Sequence, residues 1–229
     1  MGTIKVLLAR VAPLAKDLSR ARLYLPAYRL EKIDRYKKEG DKLRSLAAGL
    51  LLARFLGVRQ DEDLIIEPYG KPVLRAKTGP FFSLSHSGDY AALAIGPSPL
   101  GLDLERDRPD LKWPIIVAQI LTPFELHLMS TYPNPPKFAL AAFTLKESLA
   151  KATGAGLSGG ALTLNVMTAT DPIFFKGQKW SLGHYLVGDY NLALSVQEPG
   201  GLQFFEVQDL IDNPLLTPLT PQIIFPLAL

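Results

Sequence analysis

Apolar and polar positions alternate in a few strongly patterned segments. Residues 41–57 (DKLRSLAAGLLLARFLG) are helix formers closing on Gly57, which predicts one buried helix with glycine just past its last turn. Its polar exceptions, Arg44 and Arg54, need partners. Residues 81–95 (FFSLSHSGDYAALAI) interrupt two apolar runs with His86-Ser87-Gly88-Asp89, the pattern of two strands joined by a tight turn. Leu100, Leu102 and Leu104 alternate with Gly101, Asp103 and Glu105, predicting a half-buried strand with both acids on one face. Residues 137–154 (KFALAAFTLKESLAKATG) read as a second long helix ending in glycine, and residues 180–196 return to strand character. From about residue 213 the chain carries Pro214, Pro218, Pro221 and Pro226 among leucines and isoleucines, which predicts an extended strap docked on the surface.

These segments repeat. Gly88-Asp89-Tyr90-Ala91-Ala92-Leu93-Ala94 recurs 100 residues later as Gly188-Asp189-Tyr190-Asn191-Leu192-Ala193-Leu194, with His86 and His184 preceding the two copies. The glycines that end the two helices, Gly57 and Gly154, stand 97 residues apart. A duplicated helix-plus-sheet unit follows, with an N-terminal half over 1–102 and a C-terminal half over 103–229. A cleft between related halves is a common place for a ligand. On this alignment Leu50 and Arg54 correspond to Glu147 and Lys151, so one half alone carries the acid and one active site per chain is expected.

With 229 residues, 48% apolar and 21% charged, the chain has enough apolar surface for a sizeable core and is not intrinsically disordered. It has no cysteine, which excludes disulfides and thiolate chemistry and suits a reducing compartment, and three histidines leave little room for a zinc cluster. The apolar run 46–56 is eleven residues long and contains Arg54, too short to span a bilayer. Residues 1–10 lack the features of a signal peptide. A soluble, cytoplasmic monomer with no membrane or nucleic-acid partner is expected. Residues 1–60 hold 14 Lys/Arg against 5 Asp/Glu, and the remainder 11 against 17, so a basic first third joins an acidic remainder. That asymmetry fits an anionic partner at one end and a cation site at the other, although a solvated helix face gives the same charge run.

Two motif matches fail on context. Residues 154–159 (GAGLSG) fit a dinucleotide-binding pattern but follow a helix, whereas the mechanism needs a strand before them. Ser85-His86-Ser87-Gly88 lacks a nucleophile elbow, and neighbours on a strand face opposite ways. Asp103 and Glu105 carry more weight, because two carboxylates on one face repel each other unless a positive charge lies between them. Magnesium, bound through carboxylates and the phosphate oxygens of a substrate, would supply it, with Glu147 as third acid. The bland alternatives are a solvated edge strand and a Glu147–Lys151 helix ion pair worth about 0.2–0.5 kcal/mol.

Gly70-Lys71-Pro72, residues 82–88 (FSLSHSG), residues 101–105 (GLDLE), Phe124-Glu125, Lys146-Glu147-Ser148 with Lys151, and residues 154–158 (GAGLS) occur in one order at compatible spacings over residues 25–196. Together they resemble the 4′-phosphopantetheinyl transferases, the longer type that activates peptide and polyketide synthases. The resemblance implies an α+β fold of two similar halves related by a pseudo-twofold axis. Coenzyme A would lie between the halves and pass its phosphopantetheine arm to a carrier-protein serine, releasing adenosine 3′,5′-bisphosphate. It implies magnesium at Asp103, Glu105 and Glu147, and a catalytic set of Glu147, Lys151 and His86. Coenzyme contacts fall to Arg44, Lys71, Ser85, His86, Lys151 and Lys32, the last with Arg29 toward the 3′-phosphate. Glu147 would serve as base, ligand or both. Phe143 stands where the family usually has tryptophan, and the proline-rich tail has no counterpart. Acidic carrier domains would be steered by the basic first third. The alternatives are a magnesium-dependent nucleotide pyrophosphate hydrolase using the same acids and a non-catalytic module that binds coenzyme A or carriers.

Overall fold

The computed structural model describes residues 2–76, 78–107, 113–168 and 172–225. The chain divides into two compact units, one of residues 2–97 with 201–220 and the other of residues 98–200 with 221–225. Residues 201–220, which the sequence grouped with the C-terminal half, pack with the first unit.

In the first unit, β1 (Thr3–Arg10) leads through the helices α1 (Leu18–Arg22), α2 (Ala27–Arg35) and α3 (Glu39–Phe55). The long helix begins two residues before the predicted start, placing Glu39 and Asp41 in its first turn, where acids complement the helix dipole. It ends as predicted, with Gly57 at φ +70° and the Val58 N–H donating to the Leu52 carbonyl. A small hairpin, β2 (Leu64–Ile66) with β3 (Pro72–Leu74), precedes β4 (Phe81–Ser87) and β5 (Tyr90–Gly96). Later in the chain, β6 (Leu100–Arg106) belongs to the second unit, as do α4 (Trp113–Ile120), α5 (Pro123–Ser130), α6 (Pro135–Thr153), β7 (Ile173–Phe175), β8 (Gln178–Val187) and β9 (Tyr190–Val196). β10 (Gly201–Gln208) and β11 (Leu215–Leu219) return to the first unit, and β12 (Gln222–Phe225) goes back to the second.

The first unit's sheet runs β11-β10-β1-β5-β4, with β1 parallel to β10 and antiparallel to β5. Helix α3 lies against it, and Leu46, Leu50 and Leu51 join Leu7, Phe82 and Leu93 in one core. Each such buried leucine contributes on the order of 2 kcal/mol. The second unit's sheet runs β12-β8-β9-β6, with β7 also on β8 and α6 packed against β6, β9 and β8. Here Phe138, Leu145 and Leu149 of α6 meet Trp180, Leu182 and Ala193. Asn134 caps the start of α6 by accepting the Lys137 N–H, and Gly154 closes its end at φ +68°.

One three-strand order occurs in both units. The order β1-β5-β4 matches β6-β9-β8, and each hairpin turns on a Gly-Asp pair whose glycine takes positive φ, +52° at Gly88 and +60° at Gly188. Residues after the first strand of each set make equivalent bonds, Val11 N–H to the Asp89 carbonyl and Asp107 N–H to the Asp189 carbonyl. Arg10 covers the Tyr90 ring as Arg106 covers that of Tyr190. His184 is not the counterpart of His86: His86 pairs with Ala91, and the position opposite Asn191 is Leu186.

Two expectations are corrected. β6 is not half-buried, since every residue from Leu100 to Leu104, Asp103 included, is buried. Its Gly101 face lies under α6 rather than in water. The tail is not a strap merely docked on the surface. It enters the sheets, β11 pairing with β10 and β12 with β8, and Pro218 is accommodated because β11 is an edge strand. Pro226 lies outside the described residues. Among the described residues no helix is long and apolar enough to cross a membrane.

Candidate active site

Helix α6 and strand β6 build the site by pressing backbone against backbone. A Cβ on Gly101 would fall 2.0 Å from the Ser148 carbonyl oxygen and 2.3 Å from the Ala152 nitrogen, so only glycine lets the strand approach this turn of the helix. Ser148 ties the same turn to β9, its hydroxyl 2.7 Å from that of Ser195. Asp103 follows Gly101 by two residues on the same strand face, and Glu147 and Lys151 flank Ser148 on the helix. The Lys151 ammonium donates to Asp103 Oδ1 at 2.6 Å, with 31% of the lysine side chain and 4% of the aspartate side chain exposed. The helix spacing pointed to Glu147 as the partner of Lys151; the recorded ion pair is made across to the strand.

The Glu147 carboxyl is raised from 4.5 to about 7, first by burial and then by the charges of Asp103 and Glu105, with Lys151 acting against them. The four groups therefore share one electrostatic neighbourhood in which acids outnumber the ammonium. Three carboxylates are hard oxygen donors suited to magnesium, and their mutual repulsion at Glu147 is what a divalent cation would relieve. The residues fit such an ion by donor chemistry, although among the described residues no group of three or more His, Cys, Asp or Glu side chains is already gathered around one point.

Directly before Glu147, Lys146 points into the core. Its side chain is fully buried, and its ammonium donates to Glu125 Oε2 at 2.5 Å, to the Ile120 carbonyl at 2.7 Å and to the Leu162 carbonyl at 3.0 Å. Burial lowers its pKa and Glu125 opposes that shift. Glu125 in turn accepts the Thr122 and Val166 N–H groups, closing a capping box at the start of α5. One satisfied ion pair thus joins α6 to the end of α4, to α5 and to the loop before β7.

The remaining candidates lie in the first unit. Arg44 on α3 donates to the Gly88 carbonyl at 2.9 Å and to Asp41 at 2.5 Å, tying the helix to the hairpin that carries Ser85 and His86. Ser85 is buried and His86 exposed. The Lys71 pKa is lowered by burial, with Glu67 opposing. On α2 the Lys32 pKa is lowered by desolvation and then by the nearby guanidinium of Arg29, which is itself buried with no hydrogen bond at Nε.

Residues 99–195 match the family model of the 4′-phosphopantetheinyl transferase superfamily. The chain is 31% identical over 137 residues to a putative 4′-phosphopantetheinyl transferase of Synechocystis sp., covering 56% of either chain. It is 27% identical over 139 residues to a 4′-phosphopantetheinyl transferase of Bacillus subtilis, covering 58% of this chain and 61% of that one. Over 114 residues it is 33% identical to one of Salmonella typhi, covering 48% and 57%. The chain thus spans little more than half the length of these relatives. The resemblance read from the sequence motifs is the one these comparisons find.

The transferase-like segment holds Asp103, Glu105, Glu125, Lys146, Glu147 and Lys151, whereas Lys32, Arg44, Lys71, Ser85 and His86 lie before it. The sequence reading assigned no role to Lys146 or Glu125. The available signal was a lysine set among leucines and alanines on a core helix, a position that requires a buried acid.

Proposed function

We propose that this protein transfers the phosphopantetheine group of coenzyme A to a serine hydroxyl of a carrier protein. The supporting observation is the cluster of Asp103, Glu105, Glu147 and Lys151, placed within the segment that matches the transferase superfamily. In the reaction the serine oxygen forms a bond to the phosphorus bearing the pantetheine arm, the bridging P–O bond of the pyrophosphate breaks, and adenosine 3′,5′-bisphosphate leaves. Magnesium held by Asp103, Glu105 and Glu147 would neutralise pyrophosphate charge. Glu147 has two oxygens to divide between that cation and the serine proton, and a carboxylate so placed can serve as general base. Lys151, with 31% of its side chain exposed, would stabilise the departing bisphosphate.

Arg44, Lys71, Ser85, His86 and Lys32 are assigned to the coenzyme's phosphates and nucleotide, supported by their basic or hydrogen-bonding character and by the excess of cations in residues 1–60. That excess also supports acidic carrier domains as acceptors. The shared strand order of the two units supports the reading of two similar halves. The test is bisphosphate release from coenzyme A and magnesium, with and without an apo carrier domain. Release that requires the carrier supports transfer. Equal release without it makes the protein a pyrophosphate hydrolase, and none in either case makes it a binding module.

A further inference from the structure

The Asp103 carboxylate that a metal would need already holds a lysine. Its carboxylate is almost fully buried, fixed on β6 between α6 and β9, and its Oδ1 already accepts the Lys151 ammonium at 2.6 Å. The lysine tip sits at the end of a flexible four-carbon stem, and with 31% of its side chain exposed it is reachable by an anion from solvent. An ammonium and a divalent cation on one carboxylate repel each other strongly, because both charges lie within a few ångströms in a poorly solvated place. The acids are likewise not already gathered around a common point among the described residues.

We propose that Lys151 is an internal counter-ion that keeps the carboxylate cluster closed to a divalent cation until a polyphosphate draws the ammonium away, so that metal and coenzyme bind as a coupled pair. The identity of the polyphosphate as coenzyme A rests on the transferase reading; the exchange itself rests on the Asp103–Lys151 contact. An apo site with a resident cation avoids leaving Asp103 buried and uncompensated. It also withholds magnesium from an active site that holds no substrate. Because coupling is reciprocal, magnesium raises coenzyme affinity by the same factor by which coenzyme raises magnesium affinity.

The experiment titrates Mg2+ by calorimetry into the metal-free full chain at pH 8, alone and with saturating coenzyme A or inorganic pyrophosphate. Wild type should bind Mg2+ at least about tenfold more tightly with coenzyme A present than without it. Lys151→Met should bind Mg2+ alone at least about tenfold more tightly than wild type and gain little from the coenzyme, whereas Lys151→Arg should retain the coupling. Wild type binding Mg2+ equally well with and without either polyphosphate overturns the proposal, and this comparison decides even if Lys151→Met fails to fold. A folded Lys151→Met with wild-type affinity for Mg2+ alone also overturns it. Coupling that appears with pyrophosphate but not with coenzyme A, and is lost in Lys151→Met, upholds the exchange and removes the transferase reading instead.

Discussion

Gly101 and Ser148 stand so close that a Cβ on the glycine would lie 2.0 Å from the serine carbonyl oxygen. The contact is backbone to backbone, so no rotamer change relieves it, and the acids of β6 are set against α6 at a distance that only this residue permits. Gly101→Ala should lower stability by about 1–3 kcal/mol through overpacking. By displacing Asp103 from Lys151 and Glu147 it should also reduce turnover at least about tenfold. Urea unfolding and steady-state kinetics check both, and unchanged stability would contradict the packing account.

Glu147 makes the metal-free protein sensitive to pH in a direction opposite to that of most carboxylates. Its folded value of about 7 lies above the ordinary 4.5, so the folded chain binds this proton more tightly than the unfolded chain does. The stability it contributes is full below about 4.5 and is lost as pH rises through about 7. With a chelator present, the melting temperature should therefore fall between pH 5 and pH 8, apart from the titration of other groups, and Glu147→Gln should flatten that part of the curve. The same variant should lower turnover by on the order of 10²-fold. Parallel melting curves for the two proteins would rule out this assignment.

The buried Lys146–Glu125 pair holds α6 against α5. Lys146→Met leaves Glu125 buried without its counter-charge and should cost about 3–5 kcal/mol in urea unfolding. Adding Glu125→Gln, which removes the stranded charge and keeps a carbonyl acceptor, should recover part of that loss. A single-variant cost below about 1 kcal/mol would show that the pair does not anchor the helix.

Arg44 is held by Asp41 and by the Gly88 carbonyl, yet its side chain remains 22% exposed. If its cation serves the coenzyme, Arg44→Ala should raise the Michaelis constant for coenzyme A about tenfold and leave that for the carrier unchanged. Asp41→Asn keeps the cation and removes only its internal competitor, so it should not weaken coenzyme binding. A Michaelis constant unchanged in Arg44→Ala, with lowered melting temperature, would make the arginine purely structural.

Elements specified by local pattern were legible in the sequence. Helices α3 and α6, with Gly57 and Gly154 closing them, and the hairpins turning at Gly88 and Gly188 lie within a residue or two of their expected bounds, because capping and turn chemistry is local. Partners distant in sequence were not legible. The alternation in residues 100–105 showed which side chains share a face, but not that α6 covers the face of Asp103. Nor could it show that β10 pairs in parallel with β1 across almost the whole chain, or that a proline-rich tail would supply two edge strands. The acids and Lys151 were singled out by residue type and motif order, while the Asp103–Lys151 contact depends on how strand and helix pack. Lys146 and Glu125, 21 residues apart, could be paired only through the fold.

The most direct measurement is the intact mass of an apo carrier domain after incubation with this protein, coenzyme A and magnesium. The account predicts that the carrier gains one phosphopantetheine group on its serine, and that Glu147→Gln, folded and at equal concentration, slows the gain by on the order of 10²-fold. A panel of acidic apo carriers whose masses stay unchanged with the wild-type protein, under conditions where coenzyme A binds, would contradict it.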